Sequence, residues 1–464
     1  MPKSPRLIQQ PSWPRWTMLA GLAILFAISA PGSPESFGQS EVRSLLNDSV
    51  TDADPAQYPN VAEAIIRFRN GDVLGAKSLL ITASNTHPHL PPGSVMLAQL
   101  HFSAQQLDAG RAALEEAIRE SPEDPEPYLV MGDFAYRQRW ITSAHLAFSR
   151  ADELSQAYDA NEKRKRNLRI RAIAGLTAAA ETRENWELAH DHLREWLNLD
   201  GENALAHGRL GRVLFEMKDY KSAYAEFQHA HENDPSSLRP EVSIALLYEN
   251  QEEGSLRAEK LMGLAVQRDP ETLTTRLAVA RWELDRENLD AAREQIDAAL
   301  ELDDSSLEAH LFSGLLHRFA SQHDAAQSEF EWVHLRSPAN HTSLNQLALA
   351  LVAQDDVTKQ QRALQFAQIG VRVHADLSQV TGREAAAVYA WVLHRNGRSV
   401  EAQRTLQSTL RAGGLTPEST YFVARILNQA GNAHVARQLL ENSLQNDSNF
   451  PTRAEAEALF QQLQ

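Results

Sequence analysis

A pattern that recurs about every 34 residues constrains this chain more than any other feature. Its clearest copy runs from Ala204 to Ser237, and numbering that copy from 1 places Gly211 at position 8 and Ala223 at position 20. The same frame fits eleven stretches of the chain. Position 20 is alanine in ten of them and glycine in one: Ala76, Gly110, Ala144, Ala189, Ala223, Ala258, Ala292, Ala326, Ala363, Ala402 and Ala436.

Position 8 is also small in almost every copy. It precedes position 20 by 12 residues in nine copies, and the exceptions, Ala245 to Ala258 and Ala348 to Ala363, predict longer turns. The residues at position 8 are Ala64, Ala98, Gly132, Thr177, Gly211, Ala245, Ala280, Gly314, Ala348, Ala390 and Ala424.

These spacings predict a pair of antiparallel helices in each copy. Positions 4, 7, 8 and 11 share one face of a first helix, and positions 17, 20, 24 and 27 share one face of a second. Small side chains at positions 8 and 20 let the two backbones approach closely, whereas larger ones would force them apart. One such hairpin cannot bury its apolar face alone, so neighbouring hairpins must stack.

The copy from Ala204 to Ser237 resembles the tetratricopeptide repeat (TPR) pattern W-x2-L-G-x2-Y…A-x3-F…P. The matching residues are Leu210, Gly211, Leu214, Tyr220, Ala223, Phe227, Ala230 and Pro235. This resemblance implies an all-α fold, a right-handed superhelical solenoid of about eleven helix pairs. It also implies protein or peptide partners held on a concave face.

The N-terminal residues have the charge order of a secretory signal. Lys3, Arg6 and Arg15 precede an uncharged, mostly apolar stretch at residues 17–30. As a helix this stretch spans roughly 21 Å, which is short of the ~30 Å hydrocarbon core. We therefore expect residues 1–31 to be a signal peptide that directs export to the periplasm or exterior. If it is not cleaved, the segment anchors the chain to the membrane.

The remaining boundaries follow from the repeat frame. Residues 32–56 read as a linker, residues 57–159 as repeats 1–3 and residues 160–450 as repeats 4–11. An insertion of 11 residues near 160–170 predicts an elongated or extra helix, and a bend after repeat 3. Residues 451–464 read as a capping helix, whose Thr452 and Glu455 have the spacing of a capping box.

Composition and motifs favour a chain without catalytic chemistry. The net charge of −16 disfavours nucleic acid as a partner, and the absence of cysteine excludes thiol catalysis and disulfides. No phosphate-binding, nucleophile-elbow or zinc-protease motif is present. Several of the 17 histidines are paired two apart, which on a helix separates their rings. The sequence therefore predicts no enzyme activity, no metal and no cofactor.

Candidate partner-binding residues lie at positions 9 and 12 of the first helices. Aromatic and arginine side chains there suit a binding groove, although an aromatic at position 12 can instead pack against the next repeat. These candidates are Phe68, Phe102, Tyr136, Phe215, Arg212, Arg281, Trp391 and Arg425. A basic segment adds four more, which either dock an acidic partner or form a solvated helix face: Lys163, Arg164, Lys165 and Arg166.

The resulting hypothesis is an extracytoplasmic scaffold that binds peptides or proteins. The alternative is a subunit of a cell-envelope secretion or polysaccharide-export complex. A third hypothesis is an enzyme whose site has no recognised motif.

Overall fold

The computed structural model describes residues 57–87, 89–159, 161–249, 251, 254–445 and 449–463. The predicted signal segment (residues 1–31) and the whole predicted linker (residues 32–56) lie outside these residues. Two compact units divide the chain, with their boundary between Ala258 and Glu259.

The first unit contains eleven helices and the start of a twelfth. They are α1 Pro59–Arg69, α2 Val73–Thr86, α3 Gly93–Ser103, α4 Leu107–Glu120, α5 Glu126–Arg137, α6 Ile141–Ala157, α7 Glu162–Thr182, α8 Trp186–Leu199, α9 Ala204–Glu216, α10 Tyr220–Asn233, α11 Pro240–Tyr248 and α12 Ser255–Arg268.

The second unit contains the end of α12 and the helices that follow it. They are α13 Leu273–Asp285, α14 Leu289–Leu302, α15 Leu307–Phe319, α16 His323–Arg336, α17 His341–Val352, α18 Val357–Val373, α19 Val380–Arg395, α20 Ser399–Ala412, α21 Pro417–Gln429, α22 Ala433–Leu444 and α23 Arg453–Gln462.

The described part of the chain is helical throughout and holds no strand. In chain order, α1 to α22 correspond to eleven successive helix pairs, one for each copy of the repeat, and α23 follows as an end helix. The predicted all-α solenoid of helix pairs is therefore confirmed. None of the described helices is both long enough and apolar enough to cross a bilayer.

The turn inside each repeat has one recurring conformation. In the nine copies with the shorter turn, the residue at position 15 has a positive φ between 55° and 84°. Only three of these nine are glycine, although this left-handed region disfavours other residues. They are Gly71, Gln105, Arg139, Glu184, Lys218, Glu287, Ser321, Gly397 and Gly431.

The small residues at positions 8 and 20 lie where the two helices of a pair meet. All ten alanines at position 20 are fully buried. The three glycines at position 8 each lie under a phenylalanine at position 24, which fills the space that a larger residue at position 8 would take. These pairs are Gly132 with Phe148, Gly211 with Phe227, and Gly314 with Phe330.

The insertion after repeat 3 lengthens α7 to 21 residues, as predicted. It is not where the chain divides into units, since α7 packs on both α6 and α8 within the first unit.

The end helix α23 packs by Ala456 and Leu459, as its sequence predicts. The predicted capping box does not form, because the Thr452 hydroxyl donates to Glu418 at 3.3 Å instead of capping the helix.

Candidate functional site

Positions 2, 5, 9 and 12 of each first helix are called here the inner positions. Two of the aromatic candidates at position 12 are core residues. Phe102 stacks on Phe134 of the next first helix at 5.0 Å, and Phe215 packs edge-on against Tyr248 at 4.9 Å. Phe102 is 8% exposed and Phe215 only 1%. The expectation that these two rings face a partner is therefore wrong, because each bridges neighbouring repeats.

The other two aromatic candidates remain half-buried. Phe68 packs edge-on against His101 at 4.9 Å. Tyr136 lies at the edge of the core of repeats 3 and 4, and its hydroxyl bonds Thr182 at 2.9 Å.

The basic segment is largely used within the fold. Arg164 is 5% exposed, and its guanidinium donates to Glu126 at 3.0 Å, while Arg166 pairs with Asp200 at 2.8 Å. Lys163 is exposed and Lys165 half-buried. The interpretation of this segment as a docking site for an acidic partner is therefore wrong for Arg164, because its guanidinium forms an ion pair with the buried Glu126.

The remaining candidates occupy different surroundings. Arg281 donates from Nε to Asp285 at 3.1 Å within α13. Trp391 is 8% exposed and stacks on Phe422 at 5.2 Å, so it too is a core residue rather than a groove residue. Arg425 is half-buried on α21. Arg212 is half-buried, and its charge opposes the rise that burial causes in the pKa of Glu216.

Helices α5, α7 and α9 are joined by a ladder of polar contacts that runs along and beside their inner positions. Arg171 of α7 donates to Glu126 of α5 at 2.9 Å. Because the Thr182 hydroxyl donates to the Ala178 carbonyl, the Tyr136 hydroxyl donates to Thr182.

The ladder continues from α7 to α9. Arg209 pairs with Glu181 at 3.1 Å and donates to the Ala174 carbonyl at 3.3 Å. Its guanidinium also lies 5.9 Å from the centre of the Trp196 ring. These contacts hold three first helices in a fixed register.

The inner positions inside this ladder are small and accessible. Ala174 and Ala178 of α7 and Gly208 of α9 are half-exposed, and Leu205 is 63% exposed. We call these four residues the open strip. A partner backbone can approach closely where side chains are this small, and Leu205 offers apolar area beside them.

The matching positions of repeats 9 to 11, in the second unit, are largely closed. Leu349, Val352, Ala387, Trp391 and Tyr421 are all inner positions of repeats 9 to 11, and all are buried. They belong to one continuous core that also includes α23. Within the second unit, therefore, these repeats offer no comparable open strip.

The histidine pairs differ in one respect from the sequence expectation. His87 and His89 lie beyond the end of α2, so helical spacing does not separate them, and their rings are 5.8 Å apart. His89 accepts from or donates to the Tyr58 hydroxyl at 2.9 Å. Among the residues that the structure describes, no group of three or more metal-binding side chains is placed to hold an ion.

The sequence analysis does not identify the open strip or most of the ladder, because it selects large side chains at positions 9 and 12 and not small ones. The signal was present, since the repeat frame places Ala174 and Gly208 at position 5 and Ala178 at position 9.

Part of the chain matches a known family model. Residues 95–159, which span α3 to α6, match the family model described as tetratricopeptide repeat. A comparison with curated protein sequences gives no match.

Two solved structures show similarity to the chain. Yeast Tom70 is 15% identical, with 88% of this chain and 96% of that chain covered and a TM-score of 0.40. A thermophilic TPR protein of Thermus thermophilus, TTC0263, is 16% identical, with 41% of this chain and 98% of that chain covered and a TM-score of 0.35.

Proposed function

We propose that this tetratricopeptide-repeat protein is a scaffold outside the cytoplasm that binds an extended segment of a partner protein along α5, α7 and α9. Proteins with this repeat fold commonly serve as interaction scaffolds, which supports binding of a protein partner. The open strip supports the proposed position of that binding, along α5, α7 and α9.

The open strip is the main observation that supports binding of the partner along these three helices. Ala174, Ala178 and Gly208 are half-exposed and small enough for a partner chain to approach α7 and α9 closely, while Tyr136 and Leu205 supply larger apolar groups. Buried apolar contact of this kind supplies most of the affinity in peptide recognition.

Charge pairing in the ladder bears on specificity. Arg171 is already paired with Glu126 and Asp133, and Arg209 is already paired with Glu181. A partner segment therefore gains little from net charge, and we propose that shape and apolar side chains select it. An acidic-tail clamp would instead require uncompensated cations along the strip.

A substitution that places a large side chain in the open strip tests this proposal. Short linear peptides selected by phage display on the wild-type protein should lose affinity at least about tenfold for Ala178→Tyr, because the new ring occupies the strip. Ala112→Tyr is the matched control, since Ala112 is an exposed alanine on the second helix α4. Equal peptide affinity for the two variants would place binding elsewhere.

The extracytoplasmic location rests on the N-terminal charge order. Lys3, Arg6 and Arg15 precede the apolar residues 17–30, and the positive-inside rule then directs the repeats away from the cytoplasm. A reporter enzyme that is active only outside the cytoplasm, fused after residue 60, should show activity. Removal of residues 1–31 should abolish it, and activity retained in the shortened fusion would contradict export.

A further inference from the structure

A buried ion pair ties together two repeats of the second unit that are far apart in sequence. Arg318 of α15 donates to both carboxylate oxygens of Glu418 on α21, at 2.8 Å and 3.1 Å, and the two residues are 100 positions apart. Their side chains are only 6% and 13% exposed. Both occupy inner positions, 12 in repeat 8 and 2 in repeat 11.

Further polar contacts surround this pair. Gln346 of α17 also accepts from Arg318, and the Thr452 hydroxyl before α23 donates to Glu418 at 3.3 Å. Glu418 lies in the first turn of α21, where the helix dipole favours a carboxylate. Hydrogen-bond donors and the start of α21 therefore surround the mostly buried carboxyl group of Glu418.

A second contact joins the same ends of the unit. The amide of Asn449, in the segment before α23, donates to the Asp285 carbonyl at the end of α13, at 2.9 Å, across 164 positions. Repeats 9 and 10, by contrast, are held to their neighbours by continuous apolar packing. Both of these long-range contacts are polar.

Apolar inner side chains lie behind the ion pair. Leu311 and Leu315 of α15 pack against the core that contains Leu349, Trp391 and Tyr421. In an array of stacked hairpins each repeat needs only its neighbours for stability. Separation of α21 from α15 therefore exposes these side chains without requiring any helix pair to unfold.

We propose that the Arg318–Glu418 pair is a latch, which holds the last repeat and the end helix against repeat 8 and limits the exposure of the apolar inner side chains Leu311 and Leu315. A buried ion pair contributes little net stability compared with apolar residues of the same size, yet breaking one partner is costly. Such a pair suits a device with a closed and an open state better than it suits a purely structural role.

The absence of cysteine permits a direct distance measurement. Spin labels at Asp290→Cys on α14 and Glu441→Cys on α22, both exposed, report the separation of the two ends by pulsed electron resonance. Glu418→Arg should lengthen and broaden this distance through charge repulsion with Arg318. The exchanged pair Arg318→Glu with Glu418→Arg should return it towards the wild-type value.

Hydrogen exchange separates opening from unfolding. In Glu418→Arg, amides of α21 and α23 should exchange at least about tenfold faster while those of α17 and α18 keep their protection. Glu418→Gln is a milder variant that should shift both measurements in the same direction. Glu331→Gln is the matched control, because Glu331 pairs with Arg362 at 2.7 Å between the neighbouring helices α16 and α18.

Two results would overturn the latch. One is a label distance in Glu418→Arg that equals the wild-type distance. The other is a loss of protection spread evenly over α13 to α22, which would show that the pair belongs to a single cooperative core. A control variant Glu331→Gln that opens the ends as far as Glu418→Arg would count against it as well.

Discussion

Gly314 lies directly beneath the ring of Phe330, so close that a Cβ at residue 314 would come within 2.4 Å of the ring. Gly132 with Phe148 and Gly211 with Phe227 repeat this relationship. The other eight copies have alanine or threonine at position 8, and none of them has phenylalanine at position 24. The two positions thus divide a fixed volume between the helices of each pair.

This division of volume predicts the effect of one methyl group. Gly314→Ala should lower the free energy of unfolding by about 1–3 kcal/mol through overpacking. Phe330→Leu in the same chain should recover part of that loss, since most other repeats combine alanine with a smaller residue. Urea denaturation of both single variants and the double variant measures the coupling. Strictly additive effects would show that the two sites do not share space.

The recurring turn predicts a stabilising substitution. Lys218 has a φ of 66°, a conformation that glycine adopts at little cost. We expect Lys218→Gly to raise the free energy of unfolding by about 0.5–1 kcal/mol. Ala225→Gly, on the exposed face of α10, should lower it by about 1 kcal/mol. Thermal melts of the two variants should therefore shift in opposite directions, and a shift downward in both would contradict the turn assignment.

If the basic segment has a structural role, loss of the buried Glu126 charge should destabilise the fold. Glu126→Gln removes the charge that faces Arg164 and Arg171, leaving a mostly buried guanidinium undercompensated. We expect a loss of about 2 kcal/mol or more in the free energy of unfolding. Lys163→Gln, at an exposed residue of the same segment, should change it by less than about 0.5 kcal/mol. Comparable losses in the two variants would show that burial does not set the difference.

Two titrating groups in the second unit predict opposing dependences on pH. Burial raises the pKa of Glu384 to about 7, and burial also lowers the pKa of His341 to about 4. The carboxylate of Glu384 lies 3.7 Å from the His341 ring, and it also faces Thr416 just before α21, Glu418 in α21 and Arg383 of its own helix. The His374 ring packs edge-on against His341 at 4.9 Å.

The signs of the two contributions follow from proton uptake. Between pH 4.5 and 7 the folded state holds more proton on Glu384 than the unfolded state, so this contribution to stability falls as pH rises. Between pH 4 and 6.5 the unfolded state holds more proton on His341, so that contribution rises. In the wild-type chain the two largely cancel.

Removal of one group should reveal the other. In Glu384→Gln the free energy of unfolding should increase from pH 4 to 6.5, by at most about 1.4 kcal/mol per pH unit. In His341→Gln it should decrease from pH 4.5 to 7. Urea denaturation across this range measures both slopes, with the wild-type chain as the reference. Equal slopes in the three proteins would show that neither group has the shifted pKa.

The fold could be predicted from sequence because its signals are local. Ala223 and its counterparts recur at a fixed spacing, and that spacing alone specifies two helices and the turn between them. The burial of Phe102 and Arg164 could not be predicted in this way. Whether an aromatic ring faces a partner or the next repeat depends on where Phe134 lies, and the burial of Arg164 depends on Glu126, 38 positions away. Such contacts are set by the stacking of repeats, which the repeat frame does not encode.

The tie between Arg318 and Glu418 also limits how the number of repeats can change. In an open array, a duplicated or deleted hairpin adds or removes one interface and leaves the others intact. Between residues 318 and 418, however, the addition of one hairpin would move Glu418 out of reach of its partner. Gain or loss of repeats by recombination is therefore tolerated in the first unit and penalised in this stretch of the second. Among related chains, we expect length variation to concentrate before residue 259.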